Sequence, residues 1–277
     1  MMDIRSRLEF AKKIVRNSSA EAVKAFSNWK DLTITAKGAQ DFVSEVDKST
    51  ELYLRARIQE AYPDDGIVGE EFGRTNESAN LQWVLDPIDG TANYISGVPA
   101  WCIVIAIVEH QQILAGVIYD PNCDELFSAQ LNEGAFLNDR KLSPKKEFTI
   151  AASTLSLGYS GRTTTKPVVA VINEIFKLGG VFSRNGSGAL SLAHVADQRY
   201  SGYIEHHMNA WDCLAGQLIV KEAGGLIEDQ NAQEMIALGG RVIVGWPGVF
   251  EQLLKMANDH FGEDDLVRSA LGKSTHP

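Results

Sequence analysis

The stretch Asp86-Pro87-Ile88-Asp89-Gly90-Thr91 decides how this chain reads. It directly follows the apolar run Trp83-Val84-Leu85, so two carboxylates stand at the end of a buried segment. A proline-stiffened turn across Pro87 would let Asp86 and Asp89 face one pocket, with the Ile88 carbonyl between them. Gly90 lets a bound group approach the backbone closely. Its N–H and that of Thr91 can donate to an anion if a helix starts there. The Thr91 hydroxyl can hold a water. Each piece also has an ordinary explanation, because Asp-Pro and Asp-Gly are common turn residues.

More acids sit in comparable places. Gly69-Glu70-Glu71 closes the short run Ile67-Val68. Asp47 belongs to Ser44-Glu45-Val46-Asp47, a Ser-x-x-acid box that opens a helix. Asp212 follows Trp211 in the first turn of another expected helix. Taken singly, Asp47 and Asp212 read as acids serving helix N-termini, and Glu70 and Glu71 as a solvated pair. Taken together, several acids stand at the ends of buried apolar runs, where a carboxylate is costly without a counter-charge. Magnesium ions would supply that charge, since they prefer oxygen ligands.

The surrounding pattern indicates layered α and β structure. Ile4 to Phe26 repeats apolar residues at three- and four-residue steps, which predicts an amphipathic helix. The Ser44 box opens a second helix that ends near Ala61, before Pro63-Asp64-Asp65-Gly66. From Ile67 to Leu137, short apolar runs joined by tight turns predict an antiparallel meander. Thr149 to Leu157 reads as one more strand. Helices near 167–178, 189–196, 211–223 and 247–261 alternate with strands near 181–183, 200–205, 226–228 and 242–245. The whole chain, 1–277, reads as one catalytic unit. Its subdomains are approximately 1–145, with most of the acids, and 146–277, with Asp212. The tail from Gly262 is polar.

Composition narrows the partners. The chain has 277 residues, 26 basic against 36 acidic, for a net charge of −10. Nucleic acid and anionic membranes reward clustered Lys and Arg, so both are poor partners for it. The three cysteines form no CxxC pair, which points to a reducing compartment. The longest apolar run, Ala100 to Val108, is far short of the roughly 18 residues that span a bilayer. The expectation is a soluble, cytoplasmic protein.

Asp86-Pro87-Ile88-Asp89-Gly90-Thr91 resembles the first signature of the inositol monophosphatase family. Trp211-Asp212-Cys213-Leu214-Ala215-Gly216 resembles its second. Gly69-Glu70-Glu71 and the Asp47 segment, with Lys37 upstream, are similar in order and spacing to the rest of its metal site. The likeness runs from about Ile4 to Phe261. It implies an α+β fold, a layered αβαβα sandwich, and Mg²⁺-dependent, lithium-sensitive hydrolysis of a small phosphate monoester, often by a homodimer. By the same resemblance, Glu70, Asp86, the Ile88 carbonyl and Thr91 would surround one Mg²⁺. Asp86, Asp89 and Asp212 would hold a second, and a weaker third would sit near Glu70. Asp47 would hydrogen-bond Thr91, and that pair with Glu70 would activate the attacking water. The Gly90 and Thr91 amides would meet the phosphate.

The resemblance also implies a polyol pocket. Glu205, seven residues before Asp212, matches a glutamate that meets inositol hydroxyls, and Asp212 borders the same pocket. Gly186, Ser187 and Gly188 match its other side. Read alone, Glu205 would be an exposed acid at a strand end. Leu214 and Asn209 depart from the usual pattern, which leaves histidinol phosphate and related sugar or nucleotide phosphates as alternative substrates. His206 and His207 read as surface residues, because such a site is hard and oxygen-rich. An alternative of another class is a regulatory protein that binds the transcription machinery.

Overall fold

A computed structural model of the chain describes residues 3–38, 41–144 and 147–262. The side chain of Lys37 and the tail beyond residue 262 lie outside the described residues. In chain order, the first half holds α1 (Ile4–Phe26), β1 (Ile34–Gly38), β2 (Asp41–Ser44), α2 (Glu45–Ala61), β3 (Gly66–Gly69), β4 (Gly73–Thr75), β5 (Leu81–Asp89) and α3 (Thr91–Ile95). Then come β6 (Cys102–Glu109), β7 (Gln112–Asp120), β8 (Glu125–Gln130), β9 (Gly134–Leu137) and β10 (Arg140–Lys141). The second half holds β11 (Thr154–Leu157), α4 (Thr165–Lys177), β12 (Val181–Ser183), α5 (Gly188–Ala196), β13 (Gly202–Met208), α6 (Ala210–Glu222), β14 (Leu226–Ile227), α7 (Ala232–Leu238), β15 (Gly240–Gly245) and α8 (Phe250–His260).

Five layers result, in the order αβαβα. An eight-stranded sheet runs β10-β9-β8-β7-β6-β5-β3-β4, and a five-stranded sheet runs β12-β11-β13-β15-β14. Strand alternation builds the first three layers. Along β6, Ile103, Ile105 and Ile107 join the core under α1 and α2. Cys102, Val104, Ala106 and Val108 point the other way, into the core shared with α5 and α6. A third core packs the smaller sheet against α4 and α8. β6 is therefore buried on both faces, which is why its sequence is an unbroken apolar run.

The expected meander is present from β5 to β10, every neighbouring pair antiparallel. Local reading missed the sheet's far edge. β3 lies parallel to β5, with Gly69 opposite Leu85, and β4 turns back along β3. Thr149 to Leu157 is strand only over 154–157, after a short 3₁₀ turn at Ile150–Ala152. The helix α7 was not anticipated. No helix among the described residues is long and apolar enough to cross a membrane.

Candidate metal and phosphate site

The segment Asp86–Asp89 is the end of β5, not a free turn. Asp86 pairs with Val104 and Asp89 with Cys102, so β5 spends one residue more than β6 between these pairs. The sequence supplies the reason. Pro87 has no N–H to give the ladder, and the Ile88 N–H is taken by Asp86 Oδ1 at 2.9 Å. The irregularity ends in Gly90 at φ +97°, where α3 begins. A Cβ on Gly90 would stand 2.8 Å from the Ala100 carbonyl.

Three elements bring the acids together. The parallel register of β3 and β5 sets Glu70 beside Asp86, and the Glu70 N–H donates to Leu85 O at 3.3 Å. The first turn of α6 adds Asp212. Carboxylate oxygens of Asp86, Asp89 and Asp212 lie within 4.8 Å of one another. Asp86 is 1% and Asp89 8% exposed. Burial, then the nearby charges of Glu70, Asp89 and Asp212, pushes the Asp86 carboxyl well above its ordinary range. Burial, then Asp212, lifts Asp89 to about 7. Burial raises Asp212 as well, against the pull of Arg162.

Asp47 and Thr91 meet from different helices. Thr91 Oγ1 lies 3.1 Å from Asp47 Oδ1 and 3.0 Å from the Ile88 carbonyl, and its one proton is shared between these acceptors. Asp89 Oδ2 accepts the Ala189 N–H at 2.7 Å and the Ser187 hydroxyl, which ties β5 to the start of α5. Ser187 also caps α5 by accepting the Leu190 N–H at 3.2 Å.

A cleft with about 530 Å³ of free space, partly open to solvent, opens beside Asp89 and Asp212. Asp89, Asp212, Gly186, Ser187, Gly188 and Glu205 all line it. Glu205 is not an exposed acid at a strand end. It is central in β13, 7% exposed, and bonded by the Tyr203 hydroxyl. Burial pushes its carboxyl up to about 7.

The donor set tests the implied cation. Three carboxylates from two elements converge, Asp86 and Asp89 buried and Asp212 partly buried, all hard oxygen donors, with Glu70 close enough to raise Asp86. Such a set fits Mg²⁺ and does not suit a soft metal.

A model described as the inositol monophosphatase family matches residues 3–260. The chain belongs to the inositol monophosphatase family. It is 35% identical over 250 residues to the Nus factor SuhB of Pasteurella multocida, covering 89% of this chain and 94% of the relative. It is 35% identical over 234 residues to the inositol-1-monophosphatase of Mesorhizobium japonicum, covering 83% and 88%. The crystal structure of extragenic suppressor protein suhB from Bartonella henselae superposes with a TM-score of 0.83 at 27% identity, covering 91% of this chain and 98% of that one.

Within this member of the inositol monophosphatase family, several cleft residues escaped sequence reading. Arg162 Nη2 lies 3.7 Å from Asp212 Oδ2. Arg184 donates to the Tyr159 carbonyl at 3.1 Å. Both guanidinium groups pull the Glu205 pKa down against burial. Arg162 precedes α4 in a segment without periodicity, so nothing local marks it. His207 is also corrected: it is buried, with Nε2 2.9 Å from the Leu238 carbonyl.

Proposed function

We propose that the chain is a Mg²⁺-dependent phosphomonoesterase whose substrate is myo-inositol monophosphate. The observation that carries this reading is the convergence of Asp86, Asp89 and Asp212 within 4.8 Å, with Asp89 and Asp212 lining the same cleft as Glu205. Asp86, Asp89, Asp212, Glu70 and the Ile88 carbonyl would hold two to three Mg²⁺ ions. When bound, the cations supply positive charge for the phosphoryl oxygens and acidify a water.

The chain's own groups do the rest. Asp47 and the Ile88 carbonyl share the Thr91 hydroxyl proton, which leaves Thr91 Oγ1 lone pairs to accept from a water. Burial holds Asp47 above its ordinary pKa, which suits it to receive a proton. The Gly90 and Thr91 amides, at the start of α3, donate to phosphate. Glu205 and the Gly186–Gly188 loop orient the polyol hydroxyls. A homodimer, a cytoplasmic location and lithium inhibition belong to the same reading.

Phosphate release from inositol monophosphate, histidinol phosphate, fructose bisphosphate and 3′-phosphoadenosine phosphate, ranked by kcat/KM, tests it. Inositol monophosphate should rank first. Histidinol phosphate ranking first would keep the chemistry and replace the substrate.

A second reading is favoured by the relatives named Nus factor SuhB, such as that of Pasteurella multocida. It is a regulatory role at the transcription machinery. Capture of transcription proteins from lysate by both wild type and Asp212→Asn would support it independently of catalysis.

A further inference from the structure

Asp47, Glu51 and Arg55 follow one another at four-residue steps on α2 and form one ridge. All three are buried, at 0%, 0% and 7% exposure. Asp47 holds Thr91, but Glu51 and Arg55 have no part in the chemistry above. They pair with each other, Arg55 Nε lying 2.7 Å from Glu51 Oε1. A buried ion pair is weak support for stability, since well-packed apolar residues often serve as well or better.

The partners of the pair explain the charges. Glu51 accepts the N–H of Glu71 at 2.7 Å and of Phe72 at 3.2 Å. These are the two amides that follow Glu70, where β3 turns into β4. Arg55 takes the far side of the same turn, donating to the Gly73 carbonyl and, at 3.5 Å, to Thr75 Oγ1. Gly69 makes room for this. A Cβ there would stand 2.0 Å from Glu51 Oε1 and 2.7 Å from Arg55 Nη2. Glu70 is thus held by β5 at its own N–H and by Glu51 at the next two.

We propose that Glu51 is a positioning residue: the Glu51–Arg55 pair locks the turn that presents Glu70 beside Asp86, and so sets the affinity of the site for a divalent cation. The inference rests on the metal-site reading of Glu70 and Asp86. A carboxylate accepts two amides and a guanidinium at once, which fixes two successive peptide planes. Glutamine has one carbonyl oxygen and cannot do all three. With the turn released, cation binding would have to order Glu70 before using it.

Calorimetric titration of Mn²⁺ into the full chain tests this. Wild type, Glu51→Gln, Glu70→Gln and the double variant are compared, each with its Tm. Glu51→Gln should weaken Mn²⁺ by about tenfold to a hundredfold. It should add little on top of Glu70→Gln, because it acts through Glu70. Amide exchange at Glu71 and Phe72 should speed up in Glu51→Gln. Ile58→Val, on the same helix, should lower Tm and leave Mn²⁺ affinity alone. Should Glu51→Gln not fold, Arg55→Lys keeps a charge beside Glu51 but loses the fork to Gly73 and Thr75, and should weaken Mn²⁺ by a smaller factor. Unchanged affinity in the variant that folds overturns the positioning role. So do losses that multiply in the double variant, or an equal loss in Ile58→Val. A wild type that binds no Mn²⁺ overturns the metal-site reading itself, and the positioning role with it.

Discussion

Thr91 Oγ1 lies 3.1 Å from Asp47 Oδ1, while Asp47 Oδ2 accepts the Ser44 N–H at 2.9 Å. One carboxylate therefore closes the N-terminus of α2 and holds the hydroxyl that opens α3. The helix-capping explanation of Asp47 and the Thr91 contact implied by family resemblance are compatible, because they use different oxygens.

This arrangement separates two variants. Thr91→Ala removes the hydroxyl and leaves the cap of α2 intact. It should lower kcat by about 10²- to 10⁴-fold, the range of general acid–base contributions, with little change in Tm. Thr91→Ser should restore most of the loss. Steady-state phosphate release with parallel melting curves reads both.

Asp212→Asn should abolish turnover and keep the fold. Asp212 stands among like charges with its own pKa raised by burial, so neutralising it relieves a cost. Its Tm in chelator should equal or exceed that of wild type. A variant with full phosphate release would sink the metal assignment.

Stability should depend on pH and cation together. Burial holds Asp89 and Glu205 at about 7, above their ordinary 3.8 and 4.5. The folded chain therefore keeps protons that the unfolded chain has lost, and these groups reduce stability as pH rises from about 4 to 7. Mg²⁺ bound at the proposed site would compete with those protons at Asp89. Its effect on Tm should be near zero at pH 5 and larger at pH 8, roughly 5 °C at a hundredfold excess over Kd. An equal shift at both pH values would show that the cation does not bind these carboxylates.

The polyol side predicts a KM effect. A Cβ on Gly158 would stand 2.0 Å from Glu205 Oε2 and 2.2 Å from the Tyr203 hydroxyl. Gly158→Ala should therefore displace Glu205 and raise KM for inositol monophosphate. Mn²⁺ affinity, measured by titration, should not move. Glu205→Ala should raise the same KM, and no change in either variant would favour another leaving group.

Much of this arrangement is legible in local sequence. The Ser44 box, the acids closing apolar runs and the period change after Ala61 each report a nearby cause, a cap, a desolvated end or a strand. What stayed hidden is non-local. Nothing near Glu70 announces that β3 runs parallel to β5, yet that register sets Glu70 beside Asp86. Pro87 read as a turn because its missing N–H suits a turn, but the same lack suits the irregular end of a strand paired with β6. Glu205 and His207 looked like surface groups because their burial comes from distant parts of the chain. Glu51 and Arg55 stand four residues apart on α2, and only the fold shows the turn they clamp.

The acidic cleft is expected to bind phosphate only through cations. Net charge is −10 overall, and the cleft concentrates carboxylates, so without Mg²⁺ it should repel a phosphate dianion. Titration of inorganic phosphate into the protein, with Mg²⁺ and then with chelator, is the direct measurement. Binding is expected with Mg²⁺ and none with chelator. Equal affinity in both would contradict it.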